Sequence, residues 1–224
     1  MTSLAVEDAA AAEAELPLSE QAYRQLRDQL IMLEIRPGDA INDSVLAARL
    51  GFGRTPVREA LKRLESDHLV VSYPRRGTFA TRVDITELAD ISEIRELLEP
   101  LAARRAARTA NPDMRARLRA LAADIAESEP RGADQHTLMR FDIMVHRQIY
   151  AAAANPHLED VLIRYDNLAT RIWCLVLDKI PSVAGHITEH VDLLHAIADG
   201  DAELAASLAL EHVTSFEKTI RSVL

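Results

Sequence analysis

The chain of 224 residues holds one cysteine, Cys174, so no disulfide can close within it. That excludes a small secreted fold stapled by bridges and is compatible with a reducing compartment. Its neighbours Trp173, Leu175 and Val176 predict a buried rather than a reactive thiol. Aromatic residues make up only 4% of the chain and glycines number seven. Cores must therefore be built from alanine and leucine, which favours helix. No apolar run reaches the length of a membrane span, and the first residues lack a basic-then-apolar leader pattern. A cytoplasmic protein without a membrane partner is expected.

Net charge is −9, but it is unevenly spread. Residues 18–82 carry 11 Lys+Arg against 8 Asp+Glu, whereas residues 83–224 carry 15 against 23. The basic part is the one to examine for nucleic acid. Residues 1–17 are alanine- and acid-rich, with no turn signal, and read as a mobile tail.

Within the basic part, Leu46, Ala47 and Leu50 give a short helix an apolar face, and Gly51-Phe52-Gly53 breaks it. Arg54-Thr55-Pro56 opens a second helix, whose first turn tolerates proline. Val57, Leu61 and Leu64 fall at i, i+4, i+7 and face inward. Arg54, Thr55, Arg58 and Lys62 lie on other faces near the helix start. A recognition helix meets base edges with these N-terminal residues, and the arginine fork matches guanine O6/N7. Two apolar runs, Leu69-Val70-Val71 and Thr78-Phe79, then flank a turn with Arg75, Arg76 and Gly77 at its tip. This is the pattern of a helix-turn-helix followed by a β-hairpin wing.

From Thr86 onward helical periodicity runs to the end, predicting six helices at roughly 86–109, 112–128, 134–154, 156–179, 182–199 and 201–222. Asn111-Pro112 and Asn155-Pro156 each set an N-cap before a first-turn proline, and Gly200-Asp201 marks the last break. Pro100 should kink the first of these helices. Short connections imply an antiparallel six-helix bundle. Asp142 and His146 share a helix face at i, i+4, while His190 and His212 lie on the fifth and sixth helices. An Asp/His set converging in a bundle core suits zinc, nickel or manganese. Spacing alone favours separate, solvated or hydrogen-bonded histidines, because His186 and His195 compete for the same role.

Two stretches carry a family resemblance. Ile35-Arg36-Pro37-Gly38-Asp39, Leu50-Gly51, Arg54 through Leu61 and Arg76-Gly77-Thr78-Phe79 resemble the winged helix of GntR-family transcriptional regulators. Arg95 through Glu99, Phe141-Asp142 with His146, Asn155 through Leu158, Glu189-His190, Gly200-Asp201 and His212 resemble the FCD ligand-binding domain of the FadR-type branch, in its shorter VanR-like arm. The resemblance implies that Arg54 and Arg58 read bases, with Thr55 and Gly77 close to phosphates. It implies one divalent metal per chain on Asp142, His146, His190 and His212, with His186 and His195 left out. It also implies a small organic-acid effector, for which Arg95, Asn167 and Arg171 are candidates. Three positions depart from the family pattern: Gly53 replaces a capping Ser or Thr, His68 a helix-ending glycine, and Ser44 a common arginine.

The expectation is a ligand-responsive, sequence-specific regulator, a repressor, binding a palindromic operator as a homodimer. Its domains are 18–82 for DNA and 83–224 for effector and dimerisation. Two other classes stay open: a metal-dependent hydrolase with a DNA-targeting domain, and an architectural DNA-binding protein without an effector. No HExxH-type motif supports the former.

Overall fold

The computed structural model describes residues 15–128 and 134–224. The expected mobile tail, 1–17, thus lies outside the described residues over positions 1–14. The chain divides into two compact units at Val83/Asp84.

The first unit contains α1 (Leu18–Ile31), β1 (Ala40–Ile41), α2 (Asp43–Leu50), α3 (Arg54–Ser66), β2 (Val70–Tyr73) and β3 (Gly77–Ala80). Helices α1 and α3 pack together, and Ala22, Leu26, Leu30, Val57, Ala60 and Leu64 are fully buried. Tyr23 fastens the pair: its hydroxyl donates to Asp67 Oδ2 at 2.8 Å, and the Arg63 guanidinium lies 3.8 Å from its ring centroid. Helix α2 starts where Asn42 Oδ1 accepts from Ser44 N and Val45 N, and stops at Gly51 in the left-handed region, φ +73°. Leu50 of the expected apolar face is only half-buried. Gly53, at φ −71°, uses none of glycine's extra freedom and caps α3 without a side-chain hydrogen bond. Of the two glycines in the turn, only Gly51 needs to be one.

The wing has three strands rather than the expected two. The sheet is antiparallel in the order β1-β3-β2, with Ala40 opposite Phe79 and Val71 opposite Phe79 on its other edge. A two-residue strand has no period to read, so β1 escapes pattern analysis. It is held by the turn before it: Gly38 N donates to Ala80 O at 3.0 Å and Ala80 N to Asp39 O at 2.9 Å. Arg75 at the hairpin tip sits at φ +62°.

The second unit opens with a 3₁₀ turn, Ile85–Glu87, capped by Asp84. Among the described residues six helices follow: α4 (Leu88–Thr109), α5 (Pro112–Ser128), α6 (Gln135–Ala152), α7 (Pro156–Val176), α8 (Ala184–Asp199) and α9 (Ala202–Arg221). The two expected N-caps are in place, with Asn111 and Asn155 side chains accepting from Met114 N and Leu158 N, and at the expected break after α8 the Asp201 side chain accepts from Leu204 N. Asp134 caps α6 through Thr137 N. The fourth predicted helix ends early because its last three residues, Leu177–Lys179, tighten to 3₁₀. Helix α4 runs on through Pro100 and packs against α6, α7, α8 and α9. Its buried Ala102, Ala103, Ala106 and Ala107 allow that close approach.

Arg115 ties three helix ends together. Its guanidinium donates to Ala107 O, Ala110 O and Ala198 O at 2.7–2.9 Å, satisfying carbonyls that helices α4 and α8 leave without partners. It passes over Gly200, which caps α8 at φ +84°, and a Cβ there would lie 3.2 Å from Arg115 Nη1. Cys174 is half-buried rather than buried, and burial pushes its thiol up to about 12. No described helix is long and apolar enough to cross a membrane.

Candidate nucleic-acid interface and metal centre

On the first unit, α3 presents its predicted readers outward. Arg54, Thr55, Arg58 and Lys62 are all exposed, as are Arg75, Arg76 and Gly77 in the wing, because the inward face of α3 is taken by Val57, Ala60, Leu61 and Leu64. A groove of about 510 Å³ between α3 and the hairpin brings Arg58, Lys62 and Gly77 together with Asp43, Ser72 and Thr78. Arg76 lines a different groove, with Tyr73 and Phe79. The Ser44 hydroxyl donates to its neighbour Asp43 Oδ1 at 3.3 Å.

In the second unit, α6, α8 and α9 converge on one buried point. Asp142 and His146 come from α6, His190 from α8 and His212 from α9, and all four are buried. Their ligand-type atoms lie within 4.8 Å of one another. The Nε2 atoms of His146, His190 and His212 stand 3.8, 3.7 and 4.0 Å from Asp142 Oδ1, and His146 Nε2 stands 3.3 Å from His212 Nε2.

The other face of each imidazole fixes its orientation. His190 Nδ1 lies 3.2 Å from Ile187 O, which only accepts, so Nδ1 carries the proton. His212 Nδ1 donates to Glu189 Oε2 at 3.0 Å, and Glu189 is held by the Ser215 hydroxyl. His146 Nδ1 lies 3.1 Å from the Tyr150 hydroxyl, which donates to Glu99 Oε1 at 2.6 Å. Three Nε2 lone pairs are thereby aimed at one place, each backed by an acceptor on Nδ1. Asp142 Oδ1 and His190 Nε2 are buried with no hydrogen-bond partner. Buried polar atoms without partners need an explanation, and a cation between these donors supplies one. Four of the six donor–donor distances are 3.3–4.0 Å; a regular tetrahedron with such edges has its centre roughly 2.0–2.4 Å from each corner, close to Zn–N and Zn–O bond lengths. The donor set and its spacing fit a divalent transition metal.

The electrostatics hold three of the four donors, Asp142, His190 and His212, in their metal-binding forms, and favour the protonated form of His146 while no cation is bound. Burial raises the Asp142 carboxyl, but the close approach of His186 and the charges of His146, His186 and His190 outweigh it, and the net shift is downward. Burial holds His190 down at about 3 and His212 well below its usual value. His146 moves the other way, up to about 9, because the charges of Glu99 and Asp166 overcome its burial. Burial lifts Asp166 to about 6.

Sequence reasoning set aside His186 and His195. His195 is exposed. His186 is not one of the four converging donors, yet it borders them: its Nε2 is 3.5 Å from Asp142 Oδ1, and its ring stacks on His212 at 4.0 Å between centroids. Glu99, Tyr150, Asp166 and Glu189 were also missed as partners of the site. Their signals were local: Glu99 is i+4 from Arg95, Tyr150 i+4 from His146, and Glu189 adjoins His190. Of the effector candidates, Arg95 is buried and engaged by Glu99 at 2.9 Å and Asp166 at 3.5 Å. Asn167 and Arg171 are buried one turn apart on α7. Asn167 Oδ1 accepts from Arg147 while its Nδ2 has no partner. Burial brings the Arg171 guanidinium down to about 10, despite the nearby charge of Glu87.

Comparison with known proteins places both units. The gntR family of bacterial regulatory proteins matches residues 18–80, and the FCD domain matches residues 90–215. The chain is 28% identical to the Nta operon transcriptional regulator of Aminobacter aminovorans over 82% of this chain and 85% of that one. It is 22% identical to the HTH-type transcriptional repressor RspR of Escherichia coli K12, over 92% and 90%. The solved structure of E. coli McbR/YncC shares the fold, with a TM-score of 0.80 at 24% identity, covering 92% of this chain and 98% of that chain. These relatives are regulators, not enzymes. The chain belongs to the GntR-type transcriptional regulators, with a GntR helix-turn-helix domain followed by an FCD domain.

Proposed function

We propose that this regulator is a repressor whose DNA affinity responds to a small organic acid bound beside a divalent metal. The observation that carries the metal half is the 3.3 Å approach of His146 Nε2 and His212 Nε2 beside an unpartnered Asp142 Oδ1. Two imidazole lone pairs aimed at each other repel unless a cation or a proton lies between them. Asp142, His146, His190 and His212 would hold one zinc, nickel or manganese ion per chain. By expanding beyond its four protein ligands, such an ion would offer a Lewis-acidic position to a carboxylate oxygen.

The chain's own residues would do the rest. Glu189, Ile187 O and the Tyr150–Glu99 pair orient the three imidazoles. Asn167 and Arg171, buried on α7, would receive the acid's second polar group; Arg95 would have to exchange a carboxylate partner to take part. The winged helix would act as one half of a homodimer on a palindromic operator, because a two-fold protein reads a two-fold site. Arg54 and Arg58 would meet base edges, while Thr55, Lys62, Arg75, Arg76 and Gly77 contact the phosphate backbone or the minor groove. The domains that do this are 18–82 and 83–224, in a cytoplasmic protein. An effector controls binding only if it favours one arrangement of the two recognition helices over the other. The repressor reading leans on the relative RspR, and the acidic second unit counts against a purely architectural role.

The test is selection of bound sequences from random duplex DNA, followed by titration of the complex with metal-chelating carboxylic acids before and after removal of metal. Enrichment of a palindrome, released by an acid only in the metal-loaded protein, is the expected result. No enriched sequence would end the repressor reading.

A further inference from the structure

Both proposed base-reading arginines end on one carboxylate. Asp43 is the first residue of α2, and Arg54 and Arg58 stand one turn apart on α3. Arg58 Nε donates to Asp43 Oδ2, and Arg54 Nη2 lies 3.5 Å from the same oxygen. Asp43 is not spent on capping its own helix, because Asn42 supplies both capping bonds. Its second oxygen, Oδ1, takes the Ser44 hydroxyl at 3.3 Å. The hydrogen bond from Arg58, reinforced by the charges of both arginines against a small cost of burial, holds the Asp43 carboxyl below its usual range.

We infer that Asp43 is a specificity-determining positioning residue, which orients the Arg54 and Arg58 guanidiniums for base reading and suppresses their binding to DNA of any sequence. The geometry supplies both effects. Arg58 is gripped through Nε, so its two terminal nitrogens stay free, and these form the fork that pairs with guanine O6 and N7. The two arginine side chains are about 60% exposed and without Asp43 would wander among rotamers. Asp43 also lines the groove that Arg58 and Lys62 share, where a negative charge opposes phosphate. A carboxylate at this place lowers the affinity that any duplex can obtain from Arg54 and Arg58. It leaves the affinity of the correct site, which depends on oriented forks.

This inference rests on the proposed reading of α3, and the experiment separates the two. The wild-type protein is first taken through selection from random duplex DNA; if no sequence is enriched, the reading of α3 fails before Asp43 is tested. With an enriched site in hand, D43N and D43E are compared with wild type on that site and on a scrambled duplex, from low to physiological salt, with melting temperatures recorded. D43N should tighten binding to the scrambled duplex, steepen its salt dependence, and cut the ratio of specific to non-specific affinity at least tenfold. D43E should restore most of that ratio. In an R58A background D43N should change the ratio less than threefold, since one of its two clients is gone. An equal loss on both duplexes, or an unchanged ratio in well-folded D43N, overturns the inference. So does an undiminished effect of D43N in R58A. Should D43N melt early, D43E carries the test: a ratio no better than that of R58A overturns it.

Discussion

His212 Nδ1 donates to Glu189 Oε2 at 3.0 Å, and the same imidazole turns its Nε2 toward His146 Nε2 at 3.3 Å. Glu189 therefore sets the direction of a donor it does not share a helix with. The two residues lie on α8 and α9, so the register between these helices is part of the site.

Glu189→Gln tests that relationship. The amide keeps the size but loses the charge that makes His212 a better donor. Metal affinity should fall roughly 10- to 100-fold with the fold intact, the usual cost of losing an orienting carboxylate. Competition titration against a chromogenic chelator measures it. Affinity within twofold of wild type would detach Glu189 from the site.

Gly200→Ala should destabilise the second unit by about 1–2 kcal/mol from the left-handed backbone alone, and by more if Arg115 is displaced from its three carbonyls. Its φ of +84° and the 3.2 Å approach to Arg115 Nη1 act together. Urea unfolding followed by circular dichroism reads the change.

His68→Gly should work in the opposite direction. His68 sits at φ +60°, where a family member would carry glycine. Its exposed side chain makes no hydrogen bond, while its carbonyl accepts from Thr81 Oγ1 at 2.8 Å, a bond glycine keeps. Relief of the strained backbone should raise stability by about 1 kcal/mol, less glycine's greater freedom in the unfolded chain. A lower melting temperature in the variant would contradict this.

Tyr23 makes the first unit sensitive to alkali. Burial, then the hydrogen bond to Asp67 and its charge, push the phenol up to about 12 from an ordinary 10. The folded state keeps this proton where the unfolded chain gives it up. The stabilisation is therefore fully present below pH 10 and is lost as pH rises toward 12. Tyr23→Phe should be less stable than wild type at neutral pH, with the gap closing across that window. Thermal melts between pH 8 and 12 decide it; a gap that widens would contradict the assignment.

Local chemistry was legible in the chain. Asn111, Asn155 and Asp201 announce helix starts because the capping oxygen and its target amide lie within three residues. Arg54, Arg58 and Lys62 are outward-facing by the same arithmetic that turns Val57, Leu61 and Leu64 inward. Strand β1 was not legible, since two residues show no alternation and its pairing partner lies almost forty positions away. The histidine cluster was legible only through family resemblance: His146 and His190 are 44 positions apart, and no local rule brings α6 to α8. His186, left out by that register, still packs on the site because it is one turn before His190. Gly53 reads like a turn glycine but holds an ordinary extended backbone. Its φ of −71° against +73° at Gly51 is what separates the two.

The most direct measurement is the metal content of the purified chain, by elemental analysis before and after chelation, with thermal melting alongside and D142A/H190A as the comparison. The account predicts about one divalent transition ion per chain, melting lowered by chelation, and neither property in the double variant. No ion in the wild type under any loading, or full stoichiometry retained in D142A/H190A, would contradict it.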